Sequence, residues 1–203
     1  MLSYQDKSKY ADYLGRIIFF AVSSKIHLEL ITDKIAKSSF IDEMERDENS
    51  LICSRTSFEI FYDIFGIGYI SDSFNMNYND AYWCGYIYAK IFFEYRKPFS
   101  YIALKMPLDI LLDMYQLYHE MDISEVFEAF AEAESKVTIM KLLLKKHGIS
   151  AAALSRKSGV ALRTIARFKE SDDYLYKGTY NNVYSLSRIL KEPGNLFLKV
   201  IHH

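Results

Sequence analysis

Apolar residues recur three and four positions apart along almost the whole chain, the spacing that gathers them on one face of a helix. Residues 5–24 carry Tyr10, Tyr13, Leu14, Ile17 and Ile18 in this rhythm. Residues 27–46 repeat it with Leu28, Ile31, Ile35 and Phe40, then end in Asp42, Glu43, Glu45, Asp47 and Glu48, which predicts one further helix with a solvated acidic end. "TSFEIFYDIFG" opens with Thr56 and Glu59 at capping-box spacing and stops at Gly66. The polar stretch from Gly66 to Asn79 predicts a loop with room for a short strand. Asp80 is placed to cap "AYWCGYIYAKIFFEYRK", a helix that is apolar nearly all round except at Lys90 and Glu94 and so belongs in the middle of a bundle. Gly85 and Ala89 would let another helix approach it closely, and Pro98 requires it to end by Lys97. A short helix over Ser100–Met106 follows, and Pro107 suits the first position of the next. There Leu108, Leu111, Leu112, Tyr115 and Tyr118 form one face, and Asp109, Asp113, Gln116 and Glu120 the other. Asp122 and Glu125 mark the start of a helix running to about Glu134.

Shorter helices follow. "KVTIMKLLLKKHG" is ended by Gly148, and Ser150 is placed to cap a helix with Leu154 inward and Arg156 and Lys157 outward. Gly159 permits the positive φ of a tight turn, and Val160 plugs the space behind it. "ALRTIARFK" is then a second helix, with Ile165 and Phe168 inward. Arg163 and Arg167, four apart, project from one face, and Thr164 flanks them. Tyr180–Lys191 carries Val183, Leu186, Ile189 and Leu190, and "PGNLFL" makes a closing turn. The fold class is all-α: an N-terminal helical bundle followed by a five-helix domain.

Charge divides the chain in the same place. The net charge of −1 conceals 13 Lys/Arg against four acids in residues 136–203 and 12 Lys/Arg against 22 acids in residues 1–135. The domain joint therefore falls at Ala133–Lys136, with an acidic, aromatic-rich interaction domain over 1–134 and a basic domain over 135–203. A basic module calls for a polyanion, an acidic one for a different partner. Cys53 and Cys84 lie in apolar surroundings without metal-ligand spacing and read as reduced core thiols. The polar start, Met1 to Asp12, carries no secretory signal, and Ile17–Val22 is too short to span a bilayer, so a cytoplasmic protein away from membranes is expected. His27 and His119 lack a second histidine at ligand spacing, "GIG" at 66–68 lacks the setting of a nucleotide site, and the carboxylates fall on solvent-facing positions. No enzyme, metal site or cofactor is expected, and the tyrosines of residues 81–95 read as core.

The C-terminal pattern resembles the helix-turn-helix domain of the Cro/C1 repressor family, also called Xre-like, over residues 136–199. The resemblance rests on Ile149-Ser150, Leu154, Gly159-Val160, Thr164-Ile165, Phe168 and "SLSRILKEPGNLFL". It implies that the helix from Ala161 lies in the major groove of double-stranded DNA, with Leu162, Arg163 and Arg167 on the base-reading positions. Thr164, and the helix capped by Ser150, would meet phosphates, while Lys141, Lys145, Lys146 and Lys157 add attraction independent of sequence. A homodimer would present two such helices. Three features depart from the family. Ala151 stands where a phosphate-binding glutamine is common, Ala161 replaces a polar cap, and Glu170, Asp172 and Asp173 follow the reading helix directly.

Residues 24–66, through to "SFEIFYDIFG", are similar to a small helical family of bacterial chromosomes and mobile elements whose members lie beside genes for ADP-ribosyltransferase-like toxins. The two resemblances together imply an antitoxin that grips a protein toxin with one part and represses its own operon with the other. The competing reading is an interaction module that uses the repressor fold for dimerisation without reading DNA.

Overall fold

A computed structural model describes residues 2–68 and 78–198. These form fourteen α-helices and one 3-10 turn, with no strand among the described residues. The chain separates into two compact units, Met1–Phe127 and Glu128–His203. The division falls inside a helix, a little before the joint suggested by charge.

In the first unit, α1 (Tyr4–Ser23) begins at a capping box formed by Ser3 and Asp6 and buries Tyr10, Leu14, Ile17, Ile18 and Ala21. It packs along α6 (Tyr78–Tyr95). Gly85 of α6 makes the crossing possible, as expected, because a Cβ there would stand 2.4 Å from the Leu14 carbonyl oxygen and 2.7 Å from the Gly15 Cα. Buried Cys84, Ile87, Tyr88, Ala89, Ile91 and Phe92 confirm α6 as a central helix. Asp80 lies within its first turn rather than before it. The loop and short strand expected before α6 lie mostly outside the described residues.

Residues 27–46 do not form one helix. The chain breaks after α2 (Leu28–Ala36), and Ser38 starts α3 (Ser39–Glu45). The Ser38 hydroxyl donates to the Ile35 carbonyl at 2.7 Å and accepts the Ile41 amide at 3.4 Å, so a polar side chain replaces the helical ladder at the break. The acidic end that follows is not merely solvated. Glu43 is buried and accepts from the Ser50 hydroxyl and, at 2.9 Å, from the Leu51 amide, which anchors α4 (Ser50–Ser54). Glu45 accepts the Phe99 amide at 2.9 Å, at the start of α7 (Phe99–Lys105). Asp47 pairs with Arg96 at 3.0 Å. Cys53, on the short α4, is exposed rather than in the core.

The capping box of Thr56 and Glu59 opens α5 (Ser57–Phe65), and Gly66 closes it at φ 71°. Phe20 of α1 meets Phe58 and Phe61 of α5 edge-on. Pro107 precedes α8 (Leu108–Tyr118) as its cap instead of occupying its first position. Leu108, Leu111 and Tyr115 face inward, with Tyr115 edge-on to Trp83 of α6. Asp122 accepts the Ser124 amide at 2.9 Å and starts α9 (Ile123–Lys136), while the Tyr95 hydroxyl donates to the Phe127 carbonyl at 3.0 Å. Tyrosine is used here where phenylalanine could not serve. The buried Tyr88 hydroxyl donates to the Met106 carbonyl at 2.8 Å, and Tyr10 donates to the Glu48 carbonyl at 2.7 Å.

In the second unit, α10 (Ile139–Lys146), α11 (Ala151–Ser158), α12 (Leu162–Glu170), α13 (Asp172–Tyr176) and α14 (Tyr180–Leu190) precede a 3-10 turn at Gly194–Phe197. Ile139, Met140, Leu143, Leu154, Val160, Ile165, Phe168, Leu175, Leu186, Leu196 and Phe197 make the core. The short helix α13, bearing two of the acids at 170–173, was not expected from the sequence.

Candidate nucleic-acid interface

α11 and α12 pack on each other and are joined by a turn whose geometry is fixed by three side chains. Ser150 caps α11 by accepting the Ala153 amide at 3.1 Å. Gly159 ends α11 at φ 74°, in the left-handed region where a side chain is strained. Beyond it Val160 turns into the core. The Ser155 hydroxyl donates to the Val160 carbonyl at 2.7 Å, and the Val160 amide donates to Ser158 Oγ at 3.2 Å. These bonds satisfy the turn's backbone and hold the start of α12 in one place.

α12 has a sharply divided surface. Ile165 and Phe168 are buried, whereas Leu162, Arg163, Ala166 and Arg167 are exposed and Thr164 is half-buried. At about 100° per residue, Arg163 and Arg167 project within roughly 40° of each other. The Arg167 guanidinium lies 4.6 Å from the centre of the Tyr174 ring, a cation–π contact from α13 that orients this arginine. Ala161 precedes the helix and supplies no side-chain cap. Lys157 is exposed on α11. Of the six residues singled out from the sequence, Leu162, Arg163 and Arg167 thus share the outer surface of α12. Thr164 borders them, Lys157 lies on the preceding helix, and the Ser150 hydroxyl is engaged in its cap.

Two charged groups behave differently from the sequence reading. Asp172 accepts the Ile139 amide at 2.7 Å, at the N-terminus of α10, where the backbone carries partial positive charge. Beside it the Thr138 hydroxyl donates to the Lys169 carbonyl at 3.2 Å, so the end of α12 is tied to the start of α10. Asp173, in the first turn of α13, and Glu170, at the end of α12, are both exposed. Lys146 is not a freely presented cation, because it donates to the buried Glu192 at 2.8 Å, and His147 Nε2 lies 2.7 Å from the same carboxylate. The roles of Tyr174 and Glu192 were missed, the first because helix α13 was not expected and the second because Lys146 is reached only through the tertiary fold.

Elsewhere, His119 Nδ1 is 2.7 Å from the Tyr115 carbonyl, with the two rings stacked. Among the described residues no group of three or more His, Cys, Asp or Glu is arranged to hold a metal ion, and no helix is long and apolar enough to cross a membrane. No family model matches the chain, and no curated protein or solved structure is found to be similar to it.

Proposed function

We propose that the protein is a DNA-binding transcriptional regulator of a bacterial or mobile-element operon. It acts as the antitoxin of a toxin–antitoxin pair, represses its own promoter with α12 and masks a protein toxin with its N-terminal unit. The observation that carries the DNA reading is the exposed Leu162, Arg163 and Arg167 surface on a helix held by Ile165, Phe168 and the pinned Gly159–Val160 turn. Arginine can bridge the O6 and N7 of guanine, and Leu162 can meet a thymine methyl. The excess of cations in residues 136–203 supplies salt-dependent attraction to phosphate. The toxin assignment is supported by the resemblance of residues 24–66, and an ADP-ribosyltransferase-like enzyme is its expected class.

The uncapped Ala161 and the exposed Glu170 favour a second reading, an adaptor that keeps this fold for dimerisation and never reads DNA. Gel retardation of the protein's own promoter fragment separates the two. Arg163→Ala/Arg167→Ala should weaken specific retardation by more than about tenfold, at roughly 1–3 kcal/mol per base-reading arginine. Retardation unchanged by the pair would leave the adaptor reading standing.

A further inference from the structure

α8 carries a second apolar stripe, half-buried at Met114, that its packing leaves exposed at Ile110 and Leu117. Its inward face is Leu108, Leu111 and Tyr115, all buried. On the other side Ile110, Met114 and Leu117 recur at i, i+4 and i+7 and fall within about 60° of arc. Ile110 is 47% and Leu117 67% exposed, and Met121, just past the helix, is 52% exposed. α8 joins its own unit through Leu108, Leu111 and Tyr115 without these side chains, and their spacing is that of a helix seam. Asp109, Asp113 and Glu120 are exposed along one border of the stripe. From Pro107 to Phe127 the sequence holds five acids and no lysine or arginine.

We propose that this face of α8 docks an amphipathic helix of a partner protein whose apolar ridge is bordered by lysine or arginine. The charge on α8 selects among occupants. An antiparallel second copy of α8 would set Asp109, Asp113 and Glu120 against their own kind, a parallel copy would leave them without cationic partners, and an anionic lipid surface would be repelled. A basic-bordered helix buries Ile110, Leu117 and Met121 while its cations meet the acidic border, the groove-binding mode in which apolar anchors give affinity and flanking charge gives orientation. Under the antitoxin reading this helix belongs to the toxin; that clause alone depends on the proposed function.

The test uses the full-length protein and two synthetic helical peptides of about five turns, each with a leucine ridge at i, i+4 and i+7. One is bordered by lysines, the other by glutamates, and binding is read by fluorescence anisotropy. The lysine peptide should bind and the glutamate peptide should not. Ile110→Ser/Leu117→Ser should weaken the lysine peptide at least about tenfold. Asp109→Asn/Asp113→Asn should weaken it and flatten its salt dependence. Tyr62→Ser, at an exposed aromatic on α5, should leave it unchanged, and all the substituted positions are exposed, so urea midpoints should report intact folding. Equal binding of both peptides, or indifference to both α8 pairs, overturns the proposal. So does a homodimer, seen by sedimentation, that Leu117→Ser dissociates. Co-expression with the product of the adjoining gene separates the two levels. Rescue from toxicity that survives Ile110→Ser/Leu117→Ser rejects α8 as the docking face and leaves the antitoxin reading intact. A non-toxic neighbour together with α8-dependent peptide binding rejects that reading and supports the docking face.

Discussion

Gly85→Ala should be among the most damaging single-methyl additions in the protein. The new Cβ would stand 2.4 Å from the Leu14 oxygen, 2.6 Å from its carbonyl carbon and 2.7 Å from the Gly15 Cα. All three atoms are backbone, so no side chain can rotate away. Restoring ordinary contact near 3.4 Å requires α1 and α6 to separate by about 1 Å at the crossing. A gap of that size forfeits a quarter to a half of the dispersion attraction between the atoms it parts, and Leu14, at the crossing, is fully buried. Overpacking typically costs about 1–3 kcal/mol, and this site belongs at or above the upper end because the obstacle is main chain. Alanine returns about 1 kcal/mol of helix propensity, leaving a net loss of roughly 2 kcal/mol. With urea slopes of about 1–3 kcal/mol/M, the unfolding midpoint should fall by about 1 M. Gly68→Ala, whose Cβ meets nothing within 4 Å, is the control and should leave the midpoint in place. A Gly85→Ala midpoint equal to or above the parent's would refute the close α1–α6 crossing.

Other measurements address separate features. Ala161 leaves the start of α12 without a side-chain cap, so Ala161→Ser should raise stability by about 0.5–1 kcal/mol, read as a higher urea midpoint, and no gain would count against the α12 boundary. The Glu59 carboxyl is held below the usual carboxylate range by the Thr56 amide and hydroxyl. A depressed folded value contributes stability above the unfolded pKa and loses it as pH falls through the folded one, so the Glu59→Gln defect at neutral pH should shrink below about pH 4. A defect constant over that window would show that the charge plays no part in the cap. Burial, with Asp80 nearby, pushes the Cys84 thiol well up, whereas Cys53 is exposed. Iodoacetamide should therefore label Cys53 alone in the native protein and both cysteines in urea, as read by mass spectrometry of peptides, and native labelling of Cys84 would contradict its burial.

What the sequence made legible was local. Thr56, Glu59 and Gly66 delimit α5 because capping and left-handed termination involve residues within a turn of one another. The inward placing of Ile165 and Phe168 sends Arg163 and Arg167 outward by periodicity alone. Gly85 was recognisable as a point of close approach, but nothing in the sequence named Gly15 as the residue it would meet. The break at Ser38 was hidden because apolar spacing continues across it, and only the hydroxyl's bonds to Ile35 and Ile41 mark where the ladder stops. Glu43, Glu45 and Asp47 looked like a solvated run because Phe99 and Arg96, which two of them hold, lie some fifty residues further on. At the candidate interface a similar distance concealed the Glu192 carboxylate that takes up Lys146, whereas the Tyr174 ring, close to Arg167 in sequence, was hidden because the short helix α13 that carries it was not expected.

The acidic run after α12 bears most on whether that helix can face DNA, and its members differ. A carboxylate repels phosphate in proportion to the charge it still presents to solvent. Asp172 directs its charge at the Ile139 amide and the positive end of α10, which offsets part of its field. Its bond also secures α12, since it lies beside the one from Thr138 to the Lys169 carbonyl, while the Ser155 bond to Val160 fixes the opposite end. The helix is thereby held at both termini against its own unit, and the exposed arc of Leu162, Arg163 and Arg167 needs little further ordering when it engages a ligand. Repulsion then falls to exposed Glu170 and Asp173, at and beyond the C-terminal end of α12 and away from the Leu162 and Arg163 positions that would lead into a groove. The run that argued most strongly against DNA is thus partly a structural tie, and the charge it leaves exposed, on Glu170 and Asp173, lies beside Arg167 and far from Leu162 and Arg163 at the other end of α12.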